Sequence, residues 1–368
     1  MNRFRFLGIT LIAVLVMLSC KKDDEVQPQE QDFGYPDLAL STNLLITNEG
    51  NFLNSNASVD FLTFSNNKLI NAQKSVFKDV NNVDGIGDVL QSALVNDSLI
   101  FLIVNNSNKV RIVNKNTFKE VKELNANQPR YMVKVSESKA YLSEWGPFTG
   151  YVDDVKIIDL ETLTITGNID LGVNRPEYFE LVNGKVYVTC GGGFGGNEKV
   201  VVIDPNTDMV TKMIDVFPNS IGTTVDANND LWVMSIGSGS GGSLVKVDLS
   251  TDLPVDTINT GNLGSFNNKL LNTNSAKDIL YFLTPNGLYA LDVNDLASNQ
   301  FIASSAAFIP GSFRGFGIAK SDNDVIFVGK NNFASNIKQN GIEVYSQNQS
   351  LLYSFQSGIG PNGFYFFE

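Results

Sequence analysis

The chain has 368 residues, 43% hydrophobic and 18% charged, a composition that fits a globular protein and excludes a disordered one. The formal net charge of −12 opposes binding to nucleic acid or anionic lipid. There is no histidine, which excludes a Ser-His-Asp triad, a histidine base, histidine-bearing zinc sites and a histidine ligand to a cofactor metal. The expectation is a protein without catalytic activity or resident cofactor.

In chain order, Arg3 and Arg5 precede an apolar run, Phe6–Met17, too short to span a bilayer as an ordinary helix. The run ends at Leu18-Ser19-Cys20. A small residue and then Cys resembles a bacterial lipoprotein signal over residues 1–19, although Met17 departs from the commoner Leu. The resemblance implies cleavage before Cys20 and a membrane anchor through its acyl chains. Lys21-Lys22-Asp23-Asp24-Glu25 resembles the export signal of Bacteroidetes surface lipoproteins and implies the outer face of the outer membrane. Residues 20–40 otherwise read as a polar tether, with Pro28 and Pro36 and no periodicity. If Cys20 is acylated, Cys190 has no disulfide partner; it ends a predicted strand and reads as a small buried residue.

From about Asn43 a strand-rich unit returns. Segments starting at Val89, Tyr131, Tyr178, Gly222, Lys269, Gly315 and Gly363 stand 42 to 48 residues apart. That period, with several short strands per unit, signals a β-propeller. The unit is clearest in the fourth blade: Tyr178–Val182, the hairpin signal Asn183-Gly184, Lys185–Thr189, a loop, Lys199–Ile203, a turn with Pro205, and Met209–Val216. Asp-x-x-Thr turns recur at Asp159, Asp204 and Asp248. The acidic pairs Asp226/Asp230 and Asp322/Asp324 read as hairpin-turn chemistry rather than calcium ligands. The fold expected over residues 41–368 is all-β: a monomeric seven-bladed propeller of four-stranded antiparallel blades. Its first blade lacks an inner strand, which Gly363–Phe367 supplies, closing the ring and removing open sheet edges.

In such a ring the loop between the second and third strands of a blade shares a face with the lead-in to its inner strand. That places Asn48, Glu49, Asn105, Asn108, Trp145, Phe148, Tyr151, Phe194 and Phe333 on one face, joined by Arg130, Arg175 and Arg314 from the lead-ins. Amides, rings and a few cations together suit a small-molecule surface. Two of the loops, Gly191–Gly196 and Gly237–Gly242, match G-x-G-x-x-G; neither opens a helix, so they read as flexible connectors and not as dinucleotide sites.

Thr47–Phe52, Gly87–Ser92, Val104–Lys109 and Pro129–Met132, taken with the blade pattern, are similar to the YncE-like seven-bladed propeller lipoproteins of Bacteroidetes. The resemblance implies a surface protein seated above a TonB-dependent outer-membrane transporter, binding cobalamin or a related corrinoid and handing it inward. It also leaves open the capture of ferric siderophores, as another branch of such propellers does. An interaction or adhesion scaffold without a small ligand is the further alternative.

Overall fold

A computed structural model describes residues 35–36, 38–147, 150, 154–192, 197–237, 241–261, 270–296, 307–330 and 341–368. Cys20, the expected signal and most of the expected tether lie outside these residues.

Short runs of alternating or continuous apolar residues, cut by Asn, Asp and Gly turns, become 28 strands in chain order among the described residues. The first three are β1 (Asn43–Asn48), β2 (Ser58–Ser65) and β3 (Lys68–Gln73). Blades two and three are β4 (Leu90–Val95) to β7 (Glu120–Asn125), with β5 (Leu99–Val104) and β6 (Lys109–Asn114), and β8 (Pro129–Lys134), β9 (Lys139–Glu144), β10 (Asp154–Asp159) and β11 (Thr164–Asp170). Blade four is β12 (Phe179–Val182), β13 (Lys185–Cys190), β14 (Lys199–Asp204) and β15 (Met209–Asp215). Blade five is β16 (Ser220–Val225), β17 (Asp230–Ser235), β18 (Gly242–Asp248) and β19 (Leu253–Gly261). Blade six is β20 (Leu271–Thr273), β21 (Ile279–Thr284), β22 (Gly287–Asp292) and β23 (Ile309–Pro310). Blade seven is β24 (Phe313–Ala319), β25 (Val325–Lys330), β26 (Gly341–Tyr345) and β27 (Leu351–Gln356), and β28 (Pro361–Phe367) ends the chain.

These form seven four-stranded antiparallel sheets, and β28 lies inside β1 as the innermost strand of blade one. Leu44, Leu45 and Ile46 pair with Phe366, Tyr365 and Phe364. The clasp expected from the sequence is therefore present. Asn362 fastens it to both neighbours: its Oδ1 accepts from Thr47 Oγ1 at 2.7 Å, and its Nδ2 donates to the Leu90 carbonyl of blade two at 2.9 Å. Phe364 packs against Phe327 of blade seven with ring centroids 5.8 Å apart.

Second strands are covered on both faces by adjacent blades, so β1, β5, β9, β13, β17 and β21 each bury every residue after the first. Their third position is a buried ring in six blades: Phe101, Tyr141, Tyr187, Trp232, Tyr281 and Phe327. Two of these rings clasp the next blade. Tyr187 Oη and Lys185 Nζ reach Asp252 at 2.6 and 2.7 Å, and Tyr141 and Lys139 reach Asp208 in the same way. The Asp-x-x-Thr turns behave as expected, with Asp159 Oδ1 accepting from the Glu161 and Thr162 amides. Asp226 accepts from the Asn228 and Asp230 amides and from Trp232 Nε1.

Two features differ from the sequence reading. Leu38 and Leu40, placed in the tether, are buried in the cluster formed by blades one and seven, and Tyr35 meets Phe355 edge-on at 5.2 Å. Packing therefore begins before residue 41, because two leucines two apart offer enough apolar surface to dock. A helix, α1 (Val76–Asn81), follows β3 and buries Val76 and Phe77; six residues are too few to show a helical period.

If the clasp holds the ring, Phe364→Ala costs about 3–5 kcal/mol of unfolding free energy, read by chemical denaturation. Leu352→Ala on the exposed outer strand changes it by less than about 0.5 kcal/mol. Burial pushes the Asp252 carboxyl pKa up, but hydrogen bonds from Lys185 and Tyr187 outweigh burial and hold it below its ordinary value. Its contribution is thus present above the ordinary aspartate range and lost as pH falls through the lowered value. Asp252→Asn should weaken this acid sensitivity, as urea titrations below pH 5 will measure.

Candidate functional site

Antiparallel pairing brings second-to-third loops and inner-strand lead-ins to one end of the ring, and backbone hydrogen bonds join them. Glu49 N donates to Gly360 O at 2.9 Å, Gly146 N to Asn127 O at 3.1 Å, Asn219 N to Asn197 O at 3.2 Å, and Gly237 N to Pro218 O at 3.0 Å. This loop face is the one expected.

At that end the inner strands break register. Shifts fall between Leu90 and Ser92, Pro129 and Met132, Ser220 and Gly222, and Phe313 and Gly315, and opposite Thr47/Asn48 in blade one. A bulge frees a residue from the ladder and re-aims its side chain. The freed positions include Gln91, Arg130, Arg314 and Asn362, so bulges set the polar groups at the mouth of the central shaft.

Arg130 is the centre of this arrangement and is buried, 2% exposed. Its Nη2 and Nε donate to Glu177 at 2.7 and 3.0 Å, its Nη1 to Gln91 Oε1 at 2.5 Å, and its guanidinium lies 3.8 Å from the centroid of Trp145. Trp145 Nε1 donates to Glu177 Oε2 at 2.8 Å. Burial pushes the Glu177 pKa up, while Arg130 and Trp145 oppose the rise. Gly192 closes the cluster: a Cβ there would stand 2.3 Å from Glu177 Oε2 and 2.4 Å from Trp145 Nε1. A Cβ at Gly191 would stand 2.1 Å from the Ser220 amide. These two glycines of the first glycine loop are needed for close approach, which corrects their reading as flexible connectors.

The other expected residues divide. Glu49 pairs with Arg314, whose Nε lies 2.5 Å from Glu49 Oε2, across the seam between blades one and seven. Arg175 is buried, 7% exposed, and interacts with a neighbouring group. Asn48 is fully buried and donates to Ser58 Oγ at 3.2 Å. Asn105 is buried and donates to the Pro129 carbonyl at 3.0 Å. Asn108 is exposed and accepts from the Gln128 amide at 2.8 Å. Phe148, Tyr151, Phe194 and Phe333 lie outside the described residues. Asn48, Asn105, Arg130, Trp145 and Arg175 are thus buried as a floor beneath the loops of the face on which the sequence placed them. Glu177, Gln91 and Asn362 were missing from the expected set. Their signal was present: Pro129-Arg130-Tyr131 and Pro176-Glu177-Tyr178 set opposite charges at one register of consecutive blades. Below this floor, the shaft holds a cavity of about 280 Å³ lined by Gln91, Tyr131, Tyr178, Asn272, Phe316 and Tyr365 among others.

Glu144, beside Trp145, is buried, and burial raises its pKa to about 7; Lys156 and the Asn127 amide oppose the shift and Asp154 adds to it. A carboxyl raised in the folded state favours folding when protonated. Its contribution is complete below the ordinary glutamate range and is lost as pH rises through about 7. Glu144→Gln, which keeps an acceptor for Asn127, should flatten the fall in stability between pH 5 and pH 8, measured by urea titration. Glu177→Gln leaves Arg130 buried without its counter-charge and should cost about 3–5 kcal/mol. The joint change Arg130→Met and Glu177→Met should cost less than its two single changes summed, as a double-mutant cycle reads.

Solved structures share the fold at low identity. A quinonprotein alcohol dehydrogenase-like protein from Bacteroides thetaiotaomicron is 14% identical with a TM-score of 0.61, over 88% of this chain and 78% of that one. Hydrazine synthase from Kuenenia stuttgartiensis is 14% identical with a TM-score of 0.57, over 72% of this chain and 85% of that one. A functionally unknown protein from Desulfotomaculum acetoxidans is 9% identical with a TM-score of 0.58, over 88% of this chain and 98% of that one. No curated protein matches the chain. Residues 43–366 match the sequence profile of the domain of unknown function DUF5074, from the second strand of blade one to one residue short of the end of β28, and the chain belongs to that family.

Proposed function

We propose that the chain is a non-enzymatic lipoprotein of the outer-membrane surface. It captures a corrinoid such as cobalamin on the loop face and passes it to a TonB-dependent transporter. The observation that carries the ligand class is the pairing of the arginines. Arg130 is held by Glu177 and Gln91, Arg314 is held by Glu49, and Arg175 is buried. The described rim offers amide and aromatic surface to solvent, with Asn54, Asn56, Asn108, Asn127, Asn174, Phe52 and Phe217 exposed, together with the acid Glu198. A large, near-neutral ligand edged with amides complements such a rim; a polyanionic ferric catecholate would require unpaired cations. A macrocycle exceeds the 280 Å³ of the shaft and would rest on the face above it. The lipid anchor and the surface address follow from the pattern around Cys20.

A scaffold without a small ligand is the second reading, favoured by one loop. Phe52 and Leu53 are 58% and 74% exposed, and Leu53 takes a φ of 66°, a costly state for leucine. Asp88 Oδ2 braces the tip by accepting the Leu53 amide at 2.9 Å. Folding gains nothing from an apolar tip held this way, whereas an interface would.

Cyanocobalamin mixed with the protein at micromolar concentration should co-elute in gel filtration, seen by its visible absorbance, and a ferric catecholate should not. Elution of the corrinoid apart from the protein would overturn the reading. So would catecholate binding that disappears when Arg130, Arg175 and Arg314 are replaced.

A further inference from the structure

We propose that the axial cavity of the ring is a binding site for a small, uncharged planar ring. That ring is a free heteroaromatic molecule or a group pendant from a larger ligand on the loop face. Six of the seven blades contribute to its wall: Gln91, Ala93 and Leu94 of blade two, Tyr131 and Met132 of blade three, Tyr178 leading into blade four, Asn272 of blade six, Phe316 and Gly317 of blade seven, and Asn362 to Tyr365 of blade one. Among the described residues, no Asp, Glu, Lys or Arg lines it. A charged ligand would lose its hydration there without a counter-charge, and that selects neutral molecules.

Size selects as well. An apolar cavity of about 150 Å³ admits benzene, so 280 Å³ takes one or two fused rings and nothing much larger. Tyr131, Tyr178, Phe316 and Phe364 supply aromatic surface, and Gln91 and Asn272 supply carboxamides. The walls are already set. Tyr131 meets Tyr178 edge-on with centroids 5.2 Å apart, and its hydroxyl accepts from Gln91 Nε2 at 3.2 Å. The Tyr365 hydroxyl accepts from the Ala93 amide at 2.8 Å. Fixed rings lose little entropy when a planar guest stacks on them, so a fragment can bind without the rest of a ligand. Gln91 joins this wall to the floor above, since its Oε1 holds Arg130 while its Nε2 holds Tyr131.

The test uses benzimidazole at pH 8, where it is neutral, with saturation-transfer NMR on the full chain. Benzamidinium and benzoate serve as charged comparators of similar size. Benzimidazole should bind, the comparators should bind at least about tenfold more weakly, and Ala93→Leu, which fills the cavity, should weaken benzimidazole by about tenfold or more. Leu94→Phe replaces Ala93→Leu if that variant does not fold by circular dichroism. No transfer to benzimidazole at millimolar concentration would overturn the proposal; so would equal binding of the charged probes, or indifference to both filling variants. Competition identifies the source of the ring. Displacement by cyanocobalamin, which carries a benzimidazole, but not by dicyanocobinamide, which lacks it, marks a pendant group; displacement by neither marks a free ligand. The fragment result does not rest on the corrinoid reading, so failure of corrinoids to bind leaves it standing.

Discussion

Ring closure is the constraint on which the rest of this structure depends. Each blade buries its faces only against its two neighbours, so an open ring would leave two apolar faces in water. β28 closes it by pairing with β1, and Asn362 ties that strand both to Thr47 beside it and to the Leu90 carbonyl of the next blade. The same closure assembles the loop face. Glu49 and Arg314 are 265 positions apart in the chain and meet only because blade seven lies beside blade one. The mouth of the shaft is therefore as dependent on the last strand as the core is.

Charge acts on two scales here. The whole chain carries −12, which sets a repulsive field for anions. At the mouth, cations from the inner strands are each neutralised by an acid from a nearby blade. A buried ion pair gives little net stability, because desolvation offsets most of its Coulomb attraction. Its value is positional. Glu177 orients the Arg130 guanidinium over Trp145 and receives the indole N–H, and with Gln91 on Arg130 Nη1 three blades share one rigid polar knot.

The blade period, the turn chemistry and the clasp were legible in the sequence because each depends on residues close together or on a repeat. The partners of the arginines were harder to read. Arg130 and Glu177 stand 47 residues apart, one blade length, and pairing them requires knowing that successive inner strands present the same register to each other. The bulges add a second obstacle, since one inserted residue changes where a side chain points without leaving a compositional mark. The sequence placed Asn48 in a loop because asparagine favours turns; in the fold it ends β1 and lies under Gly358, where a Cβ would stand 2.7 Å from its Nδ2. Gly192 looked like a flexible linker because nothing local reveals that Trp145 and Glu177 pack against it.

Internal neutralisation at the mouth bears on how the proposed ligand would be held. With Arg130 and Arg314 each paired to an acid, the proposed capture would rest on shape, stacking and amide hydrogen bonds. Those terms reward rigidity, since every side chain that must be ordered on binding costs affinity. The mouth meets that demand twice. The Arg130 knot fixes the floor of the face, and through Gln91 the same knot fixes Tyr131 at the top of the cavity below. Floor and shaft are thus one hydrogen-bonded unit, and a change to Gln91 would loosen both without removing any charge from the protein.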